Sequence, residues 1–260
     1  MTIPDTVSGG AGRARADDII TVGVPGCSVD PSDVIGWWKG EGNSIAQIGP
    51  DLTGSVGSTQ GVFGQGFGFD GADLDSTTGL PAVSTGVTIS MWIKPAPAGT
   101  GRTQVLASRW AFPSTDDSAR SYELLLDPDG TLEWTTDETS TRRPEELDYH
   151  APELFDGYFH NVTATWDDNQ FALYVNGNPA ASMPSQGGVL NPAATTPFVL
   201  GGKSGFGDQL PFNGAIDEPA VIKRALTPAE VESLVGAGPY GLCATADTSG
   251  IVGPGLQIPG

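Results

Sequence analysis

The sequence predicts an all-β fold, a two-sheet antiparallel sandwich with one short C-terminal helix and extended termini. Its 260 residues include 37 glycines and 21 prolines, while charged residues make up only 17%. This composition suits many short strands joined by turns better than it suits long helices. Apolar or alternating runs of strand length follow one another through the middle of the chain, and one later segment begins with residues that are typical of a helix N-terminus. Because sandwiches of roughly 200 to 250 residues form single domains, we expect one core with two tails.

The predicted strands are short apolar or alternating runs separated by turn residues. In Val87–Lys94, for example, alternate residues from Val87 to Ile93 are apolar and would share one face. Two tight hairpins are expected, at Asp127–Gly130 and Asp167–Gln170. The predicted strands, in chain order, are Val34–Trp38, Phe67–Asp70, Val87–Lys94, Thr103–Trp110, Ser121–Leu126, Thr131–Trp134, Phe159–Trp166, Phe171–Asn176, Phe198–Leu200 and Gly214–Ile222.

One helix follows the last predicted strand. Thr227 is the expected N-cap, Pro228 takes the first helical position and Glu230 completes a capping box. Gly236 is expected to end this helix. The domain division that follows is an N-terminal arm at 1–26, one domain at 27–243 and a C-terminal tail at 244–260. Both terminal segments contain too few apolar residues to form a core of their own.

The chain is strongly acidic, with 31 Asp and Glu against 12 Lys and Arg and a formal net charge of −19. Nucleic acids and anionic membranes attract clustered cations, so we expect neither as a partner. No run of 18 apolar residues is present, which predicts no membrane insertion. Residues 1–18 have no apolar stretch of the kind that a secretory signal contains.

An ordered set of phrases resembles the laminin-G-like, concanavalin A-like jelly-roll family of lectins and glucanases. The resemblance covers roughly residues 33–238 and implies a jelly-roll sandwich. It says little about function, because this fold carries lectins, enzymes, receptor modules and virion parts. The phrases are Gly36–Asn43, Gly64–Gly71, Thr88–Pro95, Phe159–Asp167, Leu173–Gly177, Phe212–Glu218 and Arg224–Glu230.

Catalysis is not predicted, and no catalytic residue is assigned. Glucanases of this superfamily place their carboxylates in a Glu-x-Asp-x-Glu run on one strand. The nearest run here, Glu146–His150, ends in histidine and is interpreted as a proline-flanked loop.

The resemblance also implies a structural calcium ion. The matching positions are Glu41, Asn43 and Asp217, whose oxygens are the hard ligands that calcium prefers. The alternative is that Asp217 only accepts hydrogen bonds from backbone amides.

Four residues are candidates for sugar binding: Arg109, Trp110, Tyr122 and Trp134. They lie at strand ends or across a hairpin, and aromatic rings can stack on sugar C–H faces while a guanidinium meets hydroxyl pairs. Leu132 shares the strand face of Trp134, so burial of Trp134 is the competing interpretation.

Two cysteines, Cys27 and Cys243, bracket the patterned region. In the family that the sequence resembles, the two ends of the sandwich lie side by side, so we expect a disulfide between them. The alternative is two unrelated buried thiols. A disulfide fits an oxidising location, either extracellular or on a virion surface.

Two functions remain open at this stage. The first is a non-catalytic, displayed structural or adhesive component, such as a virion decoration protein, a fibre protein or a filament subunit, whose arms dock on neighbouring subunits. The second is a dedicated carbohydrate-binding module of an extracellular protein that recognises surface glycans.

Overall fold

A computed structural model describes residues 28–72, 74–97, 101–112, 119–139, 144–193, 195–205 and 209–242. Both predicted arms and both cysteines lie outside these ranges. Docking of the arms on neighbouring subunits therefore stays a prediction. No helix in the described ranges is long and apolar enough to cross a membrane.

The described ranges form an all-β domain with one α-helix, as predicted. Every predicted strand is present, with bounds that differ by at most two residues. Several additional short strands were not predicted. The strands are β1 Val34–Trp38, β2 Ala46–Ile48, β3 Thr53–Gly54, β4 Gly57–Gln60, β5 Gln65–Asp70, β6 Asp75–Thr77, β7 Gly86–Pro95, β8 Gln104–Phe112, β9 Arg120–Leu126, β10 Thr131–Thr136, β11 Glu145–His150, β12 His160–Asp167, β13 Gln170–Val175, β14 Asn178–Pro184, β15 Phe198–Leu200, β16 Ser204–Gly205 and β17 Asn213–Ile222.

These strands build two sheets that pack face to face. Sheet A has the order β14-β13-β12-β7-β17-β1-β2, and β5 joins it by pairing with both β17 and β4. Sheet B has the order β11-β10-β9-β8-β15-β6-β3. All pairings are antiparallel except the short one between β16 and β8. The predicted two-sheet antiparallel sandwich is confirmed.

Alternation along the strands places one face of each sheet in the core. On β7 the core face carries Val87, Ile89, Met91 and Ile93, as predicted. Trp38 of sheet A stacks on Phe198 of sheet B with ring centroids 5.5 Å apart. The outer faces of the two sheets are therefore the surfaces that remain for function.

The helix α1 spans Pro228–Ala237 and packs on the outer face of sheet A. Its predicted capping box is present, because the Thr227 side chain accepts from Glu230 N–H and the Glu230 side chain accepts from Thr227 N–H. Val231 and Leu234 are buried against sheet A residues that include Trp37. The helix continues one residue past the expected stop at Gly236, and the left-handed residue that follows it is Gly238.

The segment Glu145–His150 is a strand, which corrects its interpretation as a proline-flanked loop. All six residues of β11 pair with β10, from Glu145 opposite Thr136 to His150 opposite Thr131. Pro144 and Pro152 lie just outside the paired residues, where a missing N–H costs the ladder nothing. The run Glu146, Asp148 and His150 therefore shares the outer face of sheet B.

The two ends of the described domain meet, which supports the predicted disulfide. Ser28 N–H donates to the Gly241 carbonyl at 3.1 Å. In the sequence Cys27 directly precedes Ser28, and Cys243 comes two residues after Gly241. We expect non-reducing peptide mapping to recover the two cysteines in one linked peptide pair. Replacing both by serine should lower the free energy of unfolding by up to roughly 5 kcal/mol, the loop-entropy value for so long a loop. Recovery of two free thiols from the untreated protein would contradict this prediction.

Candidate functional site

The aromatic members of the predicted sugar site are core residues, which corrects that expectation. Trp134 and Tyr122 are each 0% exposed and lie between the two sheets. Their rings are 6.1 Å apart, and Trp134 Nε1 donates to the Thr165 carbonyl at 3.1 Å. Neither ring presents a face to a ligand outside the sandwich.

Arg109 and Trp110 also have structural roles. The Arg109 side chain is 3% exposed, and its guanidinium donates to the carbonyls of Leu80, Pro81 and Ala193 at 3.0–3.2 Å. Trp110 is buried under the guanidinium of Arg120, 5.4 Å from the ring centroid. Arg109 thus ties β8 to two loops, and none of the four residues is placed to contact a sugar.

The three predicted calcium ligands make hydrogen bonds with the backbone. Asp217 Oδ2 accepts from Val62 N–H at 2.8 Å and from Phe63 N–H at 2.9 Å, while Oδ1 accepts from Glu218 N–H. Glu41 Oε2 accepts from Gln65 N–H, and Asn43 Oδ1 accepts from Ile45 N–H. Burial raises the pKa of Asp217 to about 6 despite these amides. The arrangement matches the alternative in which Asp217 caps backbone amides.

Calcium at these residues therefore stays a prediction, and a melting curve tests it. A ligand that binds only the folded state stabilises it by RT ln(1 + [L]/Kd), so the midpoint rises with ligand concentration. If Glu41, Asn43 and Asp217 hold calcium, we expect the midpoint to rise with calcium and to fall with chelator, and Asp217→Asn to abolish the difference. Identical midpoints under the two conditions would leave these side chains as amide caps.

The outer face of sheet B carries a group of carboxylates, which we call the acidic face: Glu123, Glu133, Glu146 and Asp148. Glu133 lies directly opposite Asp148 on β11, and one carboxylate oxygen from each of Glu133, Glu146 and Asp148 lies within 4.8 Å of the others. Burial, followed by the charge of Glu146, raises the pKa of Glu133 to about 7. Burial also raises the pKa of Glu146 and of Asp148.

A different surface, on the outer face of sheet A, has the shape of a ligand site. It is an open groove of about 440 Å³, within the range of roughly 300–1,000 Å³ that small-molecule sites occupy. We call it the sheet A groove. It is lined by Thr59, Gly68, Phe69, Lys94, Pro95, Ala96, Pro97, Gly157, Gly214 and Ala215.

Strand register explains the flat floor of the sheet A groove. Lys94 of β7, Ala215 of β17, Gly68 of β5 and Gly57 of β4 lie directly opposite one another on four neighbouring strands. The adjacent row, which includes Ile93 and Ile216, faces the core. This outer row carries three small residues, of which Gly57 is exposed, Gly68 is half-buried and Ala215 is 3% exposed. Glycine within a strand often marks a close approach of a ligand or another backbone.

One end of the sheet A groove carries a cation and an exposed aromatic ring. Lys94 Nζ lies 5.0 Å from the centroid of the Phe159 ring. Tyr158, next to the groove residue Gly157, is 73% exposed. The turn before them is held by Asp156, whose carboxylate accepts from Tyr158 N–H at 2.8 Å and contacts His160 Nε2 at 3.0 Å. These two hydrogen bonds fix the backbone that presents Tyr158.

Sequence reasoning missed the sheet A groove and the acidic face. The glycines of the phrase Gly64–Gly71 were used only as part of the family resemblance. Glycine at every second position from Gly64 to Gly68 also indicates a strand face without side chains. The alternation in Glu146–His150 was a comparable signal for the acidic face. Neither signal says which distant strands complete the surface.

Structural neighbours of the chain include domains that bind carbohydrates or receptors. Domain 4 of AbnA, a GH43 extracellular arabinanase from Geobacillus stearothermophilus solved with arabinotriose, superposes with a TM-score of 0.56 at 20% identity, covering 77% of this chain and 97% of that domain. The binding domain of Paraclostridial Mosquitocidal Protein 1 gives 0.60 at 15% identity, covering 80% and 52%. The receptor binding domain of a botulinum neurotoxin C/D mosaic gives 0.58 at 14% identity, again covering 80% and 52%. The chain therefore spans about half the length of these toxin domains, and the likeness concerns the fold alone.

The family comparison agrees with the resemblance found in the sequence. No curated protein matches the chain. The family model described as the concanavalin A-like lectin/glucanases superfamily matches residues 68–232, a range that runs from within β5 to the middle of α1. The chain belongs to the concanavalin A-like lectin/glucanase superfamily.

Proposed function

We propose that this protein is a non-catalytic recognition module that binds a glycan in the sheet A groove, outside the cell or on a surface. The observation that carries the proposal is the open groove of about 440 Å³ across four strands, with Lys94 in its lining and the exposed Tyr158 next to the lining residue Gly157. A family of lectins and glucanases, and a neighbour solved with arabinotriose, are consistent with a sugar as the ligand.

The chemistry of the sheet A groove suits a sugar ring. A pyranose presents an apolar C–H face and a rim of hydroxyls, and the exposed Tyr158 ring offers a flat apolar surface beside the groove. Thr59 and Lys94 offer hydroxyl and ammonium groups at the walls. Gly68 and Ala215 bring no large side chain into the groove, whereas larger side chains at these positions would fill it.

The display of this module remains part of the proposal. Residues 1–26 and 244–260 are proposed to attach the domain to neighbouring subunits of a virion, fibre or filament. A module carried in an extracellular protein is the alternative, and the groove would serve recognition in either setting.

An immobilised glycan panel tests the proposal. The panel includes arabino-oligosaccharides, β-glucans and animal-type glycans, and the strongest ligand is then titrated by calorimetry. We expect Tyr158→Ala to weaken binding about tenfold, because an aromatic contact contributes roughly 0.5–1.5 kcal/mol beyond its buried area. Ala215→Leu should abolish binding by filling the floor.

Tyr240→Ala is the matched control, since Tyr240 is 75% exposed and is not among the residues that line the groove. It should bind like the unaltered protein. Melting curves identify any variant that fails to fold. Equal affinity in all three variants would contradict the proposed site, and release of new reducing ends from the bound glycan would contradict the non-catalytic assignment.

A further inference from the structure

Lys94, like Lys39, lies over an aromatic ring, and of these two lysines it is Lys94 that lines the sheet A groove. Its ammonium contacts the Phe159 ring and makes no salt bridge of 4.0 Å or less with a described carboxylate. Elsewhere Arg120 pairs with Asp137, Lys203 with Glu123, and Arg224 with Asp33 and Glu230. In a chain of net charge −19, a cation left without a carboxylate in an open groove has unused capacity for an anion.

The carboxylate that directly precedes the groove residue Gly157 in the sequence is already engaged. Asp156 holds the turn before Tyr158 and contacts His160, and these hydrogen bonds lower its pKa. On the floor, Ala215 and Gly68 contribute no charge. A ligand in the groove therefore meets one positive charge at the Lys94 end and uncharged residues along the rest of the lining.

We infer that the sheet A groove selects an acidic sugar, one whose ring carries a carboxylate, with Lys94 binding that carboxylate. The inference rests on the proposed function and names its ligand class. Hydrogen bonds between ions are roughly twice as strong as those between neutral groups. Two further carboxylates lie on strands of the groove, Asp70 on β5 and Asp217 on β17, and both accept hydrogen bonds from backbone N–H groups. Charges more than about 8 Å away are largely screened at physiological ionic strength.

Matched ligands make the test specific. Oligogalacturonate and sialyllactose are each compared with their methyl esters, which keep the sugar and remove the charge. Calorimetry should show each acid binding about tenfold more tightly than its ester. Lys94→Gln should abolish that preference for acid over ester, and Lys94→Arg should retain it. Raising the salt concentration should weaken binding of the acids and leave that of the esters unchanged.

Lys223→Gln is the control for net charge. It removes one positive charge from a side chain that lies 3.9 Å from Asp33, outside the groove lining. The preference for the acids should survive this change. Equal binding of acid and ester would overturn the acidic-sugar inference and leave the proposed glycan site standing. Failure of every glycan to bind in the groove would overturn both.

Discussion

Trp134→Ala is expected to lower the free energy of unfolding by about 3–5 kcal/mol, the usual loss for a large aromatic residue removed from a core. Trp134 is fully buried between the sheets beside Tyr122, and its indole N–H satisfies the Thr165 carbonyl on β12. Truncation leaves a cavity and also deprives that buried carbonyl of one donor. Both effects weaken the contact between sheet B and sheet A.

Chemical denaturation followed by fluorescence or circular dichroism measures this loss. Trp134→Phe should lose less stability, because phenylalanine refills most of the volume, although it also forfeits the hydrogen bond. The exposed Tyr240→Ala should change stability by less than about 0.5 kcal/mol. Glycan affinity of the folded Trp134→Ala protein should be unchanged. The reverse result, with stability preserved and sugar binding lost, would restore Trp134 to the predicted sugar site.

The second large effect concerns pH. We expect the protein to be more stable near pH 5 than near pH 8, and Glu218 to carry much of the difference. Glu218 is 9% exposed, with Oε2 accepting from Trp37 Nε1 at 2.6 Å and Oε1 buried without a hydrogen-bond partner. Burial raises its pKa from 4.5 to about 7, and the charge of neighbouring Asp217 adds to the shift.

The direction follows from proton binding. Between pH 4.5 and 7 the folded state keeps the Glu218 proton while the unfolded state has lost it, so stability falls as pH rises through that window. A shift of this size corresponds to about 3 kcal/mol at about 1.4 kcal/mol per pKa unit. Glu133, raised to about 7, and Asp217, raised to about 6, act in the same direction.

Glu218→Gln removes the titrating group and keeps an acceptor for Trp37. The difference in unfolding free energy between pH 5 and pH 8 should shrink by on the order of 3 kcal/mol. Glu230→Gln is the matched control, because the hydrogen bonds from Arg224 lower the pKa of Glu230 to about 2. Its stabilising effect is lost only as pH falls from about 4.5 towards 2. Glu230→Gln should be less stable than the unaltered protein at both pH 5 and pH 8, with an unchanged difference in unfolding free energy between the two pH values. If Glu218→Gln also leaves that difference unchanged, Glu218 is not the group responsible for the pH dependence.

Local patterns in the sequence predicted the strands and the helix, but they did not predict which strands pair with one another. The alternation of Val87–Lys94 and the caps at Thr227 and Glu230 predicted β7 and α1, because strand faces and helix ends depend on residues near one another in the chain. The prolines beside β11 were read as loop signals. They lie outside the β10 ladder, and only the register of that ladder shows that they interrupt nothing.

By itself the sequence determined the superfamily, the sandwich, the strands of the core and the capped helix. Whether Trp134 faces core or solvent, and which residues form a site, was decided by the tertiary structure. A period of two separates the faces of a strand without saying which face another sheet covers. The sheet A groove joins Thr59 and Gly68 to Lys94 and Ala215, which come from distant parts of the chain. Only the pairing of β5, β7 and β17 brings a cation and small residues onto one surface.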